Sequence, residues 1–423
     1  MGKMFRSPLF LMALTIFIDF TGFGLVIPLL PFWAEHLGAG PLGVGLILTT
    51  YALARFLFTP ILGALSDRYG RKRIIFISLC IEVISFALTA LAGSLPLLLI
   101  ARVIGGIGAS NIGSAQAVVA DVTPPEKRAA GMGAIGAAIG MGFVVGPAIG
   151  GLLSPHGEGT PFWVALCLAL VNALLVLFLL PETRKQRDSA PASRSGVGIL
   201  FSGWGKATRH KAIVSLVLVN LLYTLAFTGM ETVFPLLTQK NFGWGATQNG
   251  YVFTYVGFII VLMQGGLVKQ LVKRYGERNL MLFGLVLLGL GLTMLIWSTS
   301  LALLLIAVGI LSVGDGAVTP TSSAVLSLIS PEAEQGEILG FSQGIGGLGR
   351  TIGPLIAGAL FSVGSGAPFL AGGAFALLAI VVTLPVMTNI QRSIEAHKRA
   401  SQAHKASETE DTPLARATGK AVR

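Results

Sequence analysis

The chain has 423 residues, of which 53% are hydrophobic and 12% charged, with a formal net charge of +11 and a mean hydropathy of +0.78. Soluble domains carry about 25% charged residues, so this composition excludes an ordinary soluble enzyme and a disordered chain. The positive charge comes without a basic face interleaved with stacking aromatics, which excludes a nucleic-acid-binding module, and Cys80 and Cys167 lie in apolar runs, which excludes a disulfide framework or zinc cluster.

Crossing the hydrocarbon takes about 20 apolar residues in a helix. Twelve stretches qualify, at 8–33, 42–66, 73–94, 96–120, 129–153, 162–181, 212–238, 248–271, 279–298, 301–327, 337–362 and 367–389. They are helices 1 to 12 of an all-α membrane protein lying in the lipid bilayer. The start is basic and runs into a long apolar stretch with no small-residue cleavage site, so helix 1 reads as uncleaved. Segment 184–211 is polar and basic and reads as a linker between six-helix bundles at 1–183 and 212–390; 391–423 reads as a charged tail. With the N-terminus in the cytoplasm, 26 of the 30 Lys and Arg fall on the cytoplasmic side, Lys240 alone falls outside, and Arg55, Arg102 and Arg350 lie within helices. By the positive-inside rule both termini are expected in the cytoplasm, at a bacterial inner membrane.

The halves repeat. Phe20 to Leu30 recurs 207 residues later as Phe227 to Leu237, with seven of eleven positions identical. Gly146-Pro147 recurs as Gly353-Pro354 at the same offset, and Arg68-Tyr69-Gly70 recurs as Arg274-Tyr275-Gly276 at an offset of 206. Two parallel repeats imply a pseudo-two-fold axis along the membrane normal, with substrate between the halves near the midplane.

In chain order, helix 1 carries Asp19 near mid-depth and Gly22 followed by Pro28-Leu29-Leu30-Pro31. The loop after helix 2 reads Gly63-Ala64-Leu65-Ser66-Asp67-Arg68-Tyr69-Gly70-Arg71-Lys72-Arg73. There Gly63 is expected to let helices approach closely and Gly70 to permit a tight turn. A basic loop alone is a topology anchor, which leaves the acid and the spaced glycines unexplained. Helix 3 carries Glu82, and helix 4 carries Arg102 followed by Gly105-Gly106 and ends at Asp121. Helix 5 carries Gly133, Gly142, Gly146-Pro147 and Gly150-Gly151, which alone is a small-residue packing face bent by a proline. Helices 7 and 10 carry Glu231 and Asp315, and helix 11 carries Gln343 and Arg350.

Charges within the bilayer are expensive and functional by default. A carboxylate between burial, which favours the neutral acid, and a guanidinium, which favours the anion, can take up and release a proton. Asp19 with Arg102, and Glu82 nearby, are candidates for that exchange; a permanent structural pair of Asp19 with Arg102 is the alternative. Glu231 and Asp315 suit attraction of a cationic substrate or a second proton. Arg55 and Arg350 each either neutralise an acid or, for Arg350, hold an anionic group. Asn111, Gln116 and Gln264 read as packing hydrogen bonds, and Gln343 as a pocket residue. Met141, Met230 and Tyr255, with Phe143, Tyr223, Phe227 and Tyr251, are candidates for an aromatic cavity wall or, on spacing alone, lipid-facing and core residues. None of the five histidines lies deep in a helix, which leaves no histidine relay or intramembrane metal site, and there is no P-loop or nucleophile elbow.

The loop after helix 2 fills every fixed position of G-x-x-x-D-R-x-G-R followed by Arg or Lys, the signature of the major facilitator superfamily, which this chain resembles over nearly its whole length. The helix 5 spacing resembles the antiporter signature of its twelve-helix drug/proton antiporter branch. The helix 1 and helix 4 patterns are similar to further signatures of that branch, and tetracycline/proton antiporters are the nearest named group. The resemblance implies the major facilitator fold, two pseudo-symmetric six-helix bundles, and a monomer. It implies that an acid at Asp19 carries the proton and that Asp121 pairs with Arg71 to latch a cytoplasmic gate comprising Gly63, Asp67, Arg68, Gly70 and Arg71. The second half lacks that set, because Lys273 stands opposite Asp67 and Ser327 opposite Asp121. Two departures count against tetracycline itself. Ser85 takes the position where those exporters carry an Asp, with Glu82 one turn away, and helix 9 has no acid. The expected function is alternating-access export of hydrophobic, cationic or zwitterionic compounds in exchange for protons, without a cofactor. A proton symporter importing a sugar or organic acid is the rival, against which the helix 5 signature argues.

Overall fold

The computed structural model describes residues 7–124, 127–157, 159–183, 204–331, 334–388 and 390–391. Among the described residues, twelve helices are long and apolar enough to cross a membrane: α1 Pro8–Val26, α2 Pro41–Tyr69, α3 Arg71–Ala90, α4 Leu95–Val122, α5 Ala130–His156, α6 Thr160–Leu179, α7 Lys211–Phe242, α8 Ala246–Tyr275, α9 Glu277–Trp297, α10 Leu301–Ile329, α11 Gln335–Val363 and α12 Ala367–Val386. Most of the linker expected at 184–211 and nearly all of the tail expected at 391–423 lie outside the described residues. Proline opens several helices, as at Pro8, Pro41, Pro161 and Pro368, where a missing amide proton leaves no bond unmade. Glycine closes α2 and α8 at matched positions, Gly70 with φ 108° and Gly276 with φ 79°, a backbone region that a side chain would strain.

One expectation needs correction. Helix 1 does not run unbroken over 8–33: α1 stops at Val26, and a separate short helix spans Leu30–His36. Pro28 has no amide proton to continue the ladder, and its ring crowds the preceding turn.

The pairing of helices repeats between the halves. In the first, α1 packs on α5 and α6, α3 on α4 and α6, and α2 on α4; in the second, α7 packs on α11 and α12, α9 on α10 and α12, and α8 on α10. The halves meet through α2 with α11 and through α5 with α8, which a two-fold rotation exchanges. Both contacts lie toward the end away from the loop joining α2 to α3. There Gly45 lies against the Pro354 carbonyl, Gly250 against the Pro147 carbonyl, and Gly358 against Pro41. Thr49 Oγ1 donates to Thr351 O at 2.9 Å, and the hydroxyls of Ser154 and Thr247 are 2.7 Å apart. Toward the other end, where the loops after α2 and α8 carry their Lys and Arg, Gly133, Gly336 and Gly340 have no neighbour among the described residues within 4 Å of where a Cβ would sit. A central cleft therefore opens at this basic end and closes at the opposite one. Within α8, Met263–Leu267 forms a π turn.

Candidate functional site

Asp19 projects from α1 into the first half, where Asn111 Nδ2 of α4 donates to Oδ2 at 2.9 Å and Asn172 Nδ2 of α6 donates to Oδ1 at 2.7 Å. Asn172 also reaches Thr15 O at 3.1 Å, so this amide ties α6 to two successive turns of α1. Arg102 does not pair with Asp19. Its Nη2 donates to Thr89 of α3 at 2.5 Å, and its guanidinium lies 5.9 Å from the Tyr51 ring centroid. The permanent pair of Asp19 with Arg102 is thus replaced by amide donors on one side and a hydroxyl on the other. Asp19, Tyr51, Glu82 and Arg102 line one cavity. Glu82 is 7% exposed and fits because α4 presents Gly108 to it. One turn on, Ser85 donates to Ala101 O at 2.7 Å and lines the same cavity. Arg55 of α2 sits 5.3 Å from the Phe20 ring centroid and 5.9 Å from that of Phe23.

The second half has its own charged group. Glu231 on α7 lies within electrostatic reach of Asp315 on α10 and Arg350 on α11, with Tyr223 and Thr319 beside Asp315. Asp315 is buried, whereas Arg350 and Gln343 are exposed. These two are seven residues apart and share one face of α11. That face lies between the stripe of Ser342, Gly349 and Gly353, which packs on α7, and the stripe of Gly347, Thr351 and Pro354, which packs on α2, and so opens onto the cleft. Among the described residues, no ion pair within 4 Å joins any of Asp19, Arg55, Glu82, Arg102, Glu231, Asp315 and Arg350, and no cluster could hold a metal.

Three expected cavity residues lie elsewhere. Met230 is 3% exposed inside the core of the second half. Its neighbour Glu231 takes the cleft direction, so Met230 turns away. Met141 lies nearly opposite Phe143 around α5. Phe143 packs on Phe20 and Phe23 beside the cleft, so Met141 joins the outward stripe with exposed Leu152. Tyr255 shares an exposed stripe with Tyr251, Phe258 and Leu262, opposite the core residues Val252 and Val256, and its hydroxyl rests on Gly309.

At the basic end, Arg71 Nη1 meets Asp67 Oδ1 at 2.6 Å and Ser66 Oγ at 2.8 Å, and Nε meets Asp121 Oδ2 at 3.3 Å. The Arg71 amide donates to Glu182 Oε1 at 2.9 Å, and Glu182 occupies the space a Cβ on Gly70 would need. Arg68 stacks on Tyr69 at 5.3 Å. All of this lies within the first half: Arg71 ties the ends of α2 and α4 and the segment after α6 to the start of α3, and the Asp121–Arg71 contact does not bridge the open end. In the second half Gln335 Nε2 bonds Ser327 Oγ and O in place of an arginine–acid pair. Gly63 has no neighbour within 4 Å, which corrects its reading as a point of close approach.

Of the helix 5 glycines, Gly142, Gly146 and Gly150 lie against the α1 backbone at Thr21 and Leu25, and Gly151 lies against Gly250 of α8. Gly133 touches nothing. Pro147 leaves the Phe143 carbonyl without a helical donor, and Gly257 of α8 approaches that oxygen. This run therefore forms the joint between the first half and α8, beyond any bend in α5.

Sequence reasoning missed Asn172 and Glu35. A lone amide in the apolar run of α6 was the available signal for Asn172. Glu35, at the closed end, accepts a hydrogen bond from Gln239 of α7, and burial pushes its carboxyl above the usual glutamate value.

The sequence profile of the Major Facilitator Superfamily matches residues 12–273 and 266–417. The quinolone resistance protein NorA of Staphylococcus aureus (strain MSSA476) is 27% identical over 380 residues, 90% of this chain and 96% of that protein. The class C tetracycline resistance protein of Escherichia coli is 30% identical over 373 residues, 86% of this chain and 93% of that protein. The crystal structure of the human organic anion transporter MFSD10 superposes with a TM-score of 0.68 at 27% identity, covering 90% of this chain and 99% of that one. Twelve spanning helices in two matched bundles around a charged cleft, with a family profile over nearly the whole chain, make this a multi-pass membrane transport protein and not an enzyme: it belongs to the Major Facilitator Superfamily.

Proposed function

We propose that the chain exports hydrophobic, drug-like cations or zwitterions in exchange for protons, by alternating access across a bacterial inner membrane with both termini in the cytoplasm. It works as a monomer and needs no cofactor. The observation that carries this reading is Asp19, an intramembrane acid held by two neutral amides with no cation within 4 Å among the described residues. A carboxylate so placed accepts both amide protons when ionised. Protonation weakens both bonds and so loosens α1 from α4 and α6. Glu82 shares the cavity and supplies a second acid; Arg102, anchored on Thr89, holds positive charge nearby. Glu231 and Asp315 offer the substrate's cation a place in the opposite half. Names of relatives such as the quinolone and tetracycline resistance proteins support an efflux role. One proton entering down the membrane potential supplies about 2.3 kcal/mol per 100 mV. The test uses purified protein in liposomes with a pH-sensitive dye inside and an imposed proton gradient, to which lipophilic cations, tetracyclines, sugars and organic acids are added in turn. Proton movement opposite to a drug-like compound, lost in Asp19→Asn, is expected. Movement with a sugar or organic acid in the same direction would overturn antiport.

A further inference from the structure

Where α2 crosses α11, the Phe56 ring packs on Gly347, so that a Cβ there would lie 2.7 Å from the ring. Arg55 precedes Phe56, and Arg350 follows Gly347 by three residues. Arg55 is turned away from the crossing toward α1, above Phe20 and Phe23, and Arg350 lies on the cleft face of α11. The two guanidiniums, one from each half, are close enough for their charges to act on one another. Neither has a carboxylate within 4 Å among the described residues. Arg55 is partly buried and Arg350 is exposed to the cleft, and two guanidiniums that face one cleft without a carboxylate in contact suit a shared anion.

We propose that Arg55 and Arg350 form a two-armed anion site that takes the carboxylate of an aromatic, zwitterionic substrate. The proposal rests on the reading of the cleft as the substrate's path. Planar guanidinium forks match a carboxylate bidentately. Phe20, Phe23 and Phe143 pack together beside Arg55, with ring centroids 5.5–6.3 Å apart, and the partly buried Phe23 and Phe143 give an aromatic body an apolar flank. Glu231 acts on Arg350 from the second half, and Asp19 and Glu82 act on Arg55 from the first, so the field carries both signs and suits a zwitterion better than a simple anion. Because the arms belong to different halves, an anion between them cancels their repulsion and draws the open end together, which couples loading to closure.

The test is equilibrium binding to the purified full chain in detergent with no proton gradient. The probes are a fluorescent piperazinyl naphthoic acid and its methyl ester, which differ in the carboxylate alone. The wild type is expected to bind the acid about ten-fold more tightly than the ester, as for a hydrogen bond to a charged group. Arg350→Gln and Arg55→Gln should each bring that ratio to within about two-fold while leaving the ester's Kd unchanged; Arg350→Lys should keep part of the preference. Equal binding of acid and ester by the wild type, or an undiminished preference in Arg350→Gln, would overturn the site. So would equal losses for both probes in the Gln and Lys variants, which mark a structural role. Failure of proton-driven export with the wild-type preference present would remove the export reading alone, and absence of that preference in the wild type with export intact would remove this site alone.

Discussion

Gly250 of α8 rests against the backbone carbonyl of Pro147 in α5, where an added methyl would lie 2.7 Å from the oxygen. Gly45 and Pro354 repeat the contact on the other side of the two-fold axis. Backbone atoms cannot yield as a flexible side chain does, and overpacking of this kind costs roughly 1–3 kcal/mol. An energy of that size shifts a two-state equilibrium by about 5- to 150-fold. Gly250→Ala and Gly45→Ala should therefore favour opening at the closed end. A cysteine at buried Ala39, with Cys80 and Cys167 replaced by serine, should react faster with a membrane-impermeant maleimide, and export should fall several-fold. Unchanged labelling would mean that the contact does not hold this end shut.

Asp19→Asn should reduce efflux driven by a pH gradient to the leak while substrate counterflow persists. Asparagine has one carbonyl oxygen, so Asn111 and Asn172 compete for a single strong acceptor. The buried amide left over costs about 1–3 kcal/mol, which a lower melting temperature of the purified variant should register. Coupled efflux in a folded Asp19→Asn protein would move the proton to another acid, Glu82 first.

Asp67→Asn should impair transport without removing the protein from the membrane. The Asp67 side chain is 64% exposed, and pairs this exposed contribute only about 0–1 kcal/mol to stability. Arg71→Gln should be more damaging, because Arg71 also holds Ser66 and Asp121. Quantitative blotting beside uptake into everted vesicles checks both. Wild-type rates from a well-expressed Asp67→Asn protein would dismiss this cluster as part of the gate.

Glu35 sets a pH dependence at the closed end. Burial raises its carboxyl above the ordinary value of 4.5, so this arrangement prefers the neutral acid. As pH rises from 4.5 through the raised value, the cost of burying the ionised carboxylate outweighs its stronger hydrogen bond from Gln239 and disfavours the closed arrangement; acid restores it. Labelling of the Ala39→Cys protein should rise over that window beyond the reagent's own pH response, and Glu35→Gln should flatten the excess. An identical profile in Glu35→Gln would clear Glu35 of this role.

The twelve spans were legible in the sequence because lipid demands runs of apolar residues whatever their neighbours. Pro28 was legible too, but its effect was not: a hydropathy window runs across the turn that ends α1 at Val26. The site was legible in its ionisable residues, which stand out against apolar helices, and illegible in their partners. Arg102 and Asp19 are opposite in charge, yet Thr89 and two asparagines are their partners, because side-chain direction decides reach. Met141 and Tyr255 failed for a related reason. A spanning helix is apolar toward both lipid and protein, so periodicity cannot separate a cleft wall from an outer surface.

The π turn at Met263–Leu267 has a history written in its register. Gly250 stands 205 residues after its counterpart Gly45, whereas Arg274 stands 206 after Arg68. The second half therefore carries one more residue than the first between these points, inside α8, and the widened turn is where a helix can store it. Packing against α5 is kept on one side of it and the glycine-capped end on the other. The extra residue lies within the bilayer, where chain length is usually fixed by membrane thickness, and the widened turn takes it up without the rotation of about 100° that one residue added to a regular helix would impose on the segment from Val268 to Tyr275. The two halves, similar in their closed joints, offer different side chains to the open end.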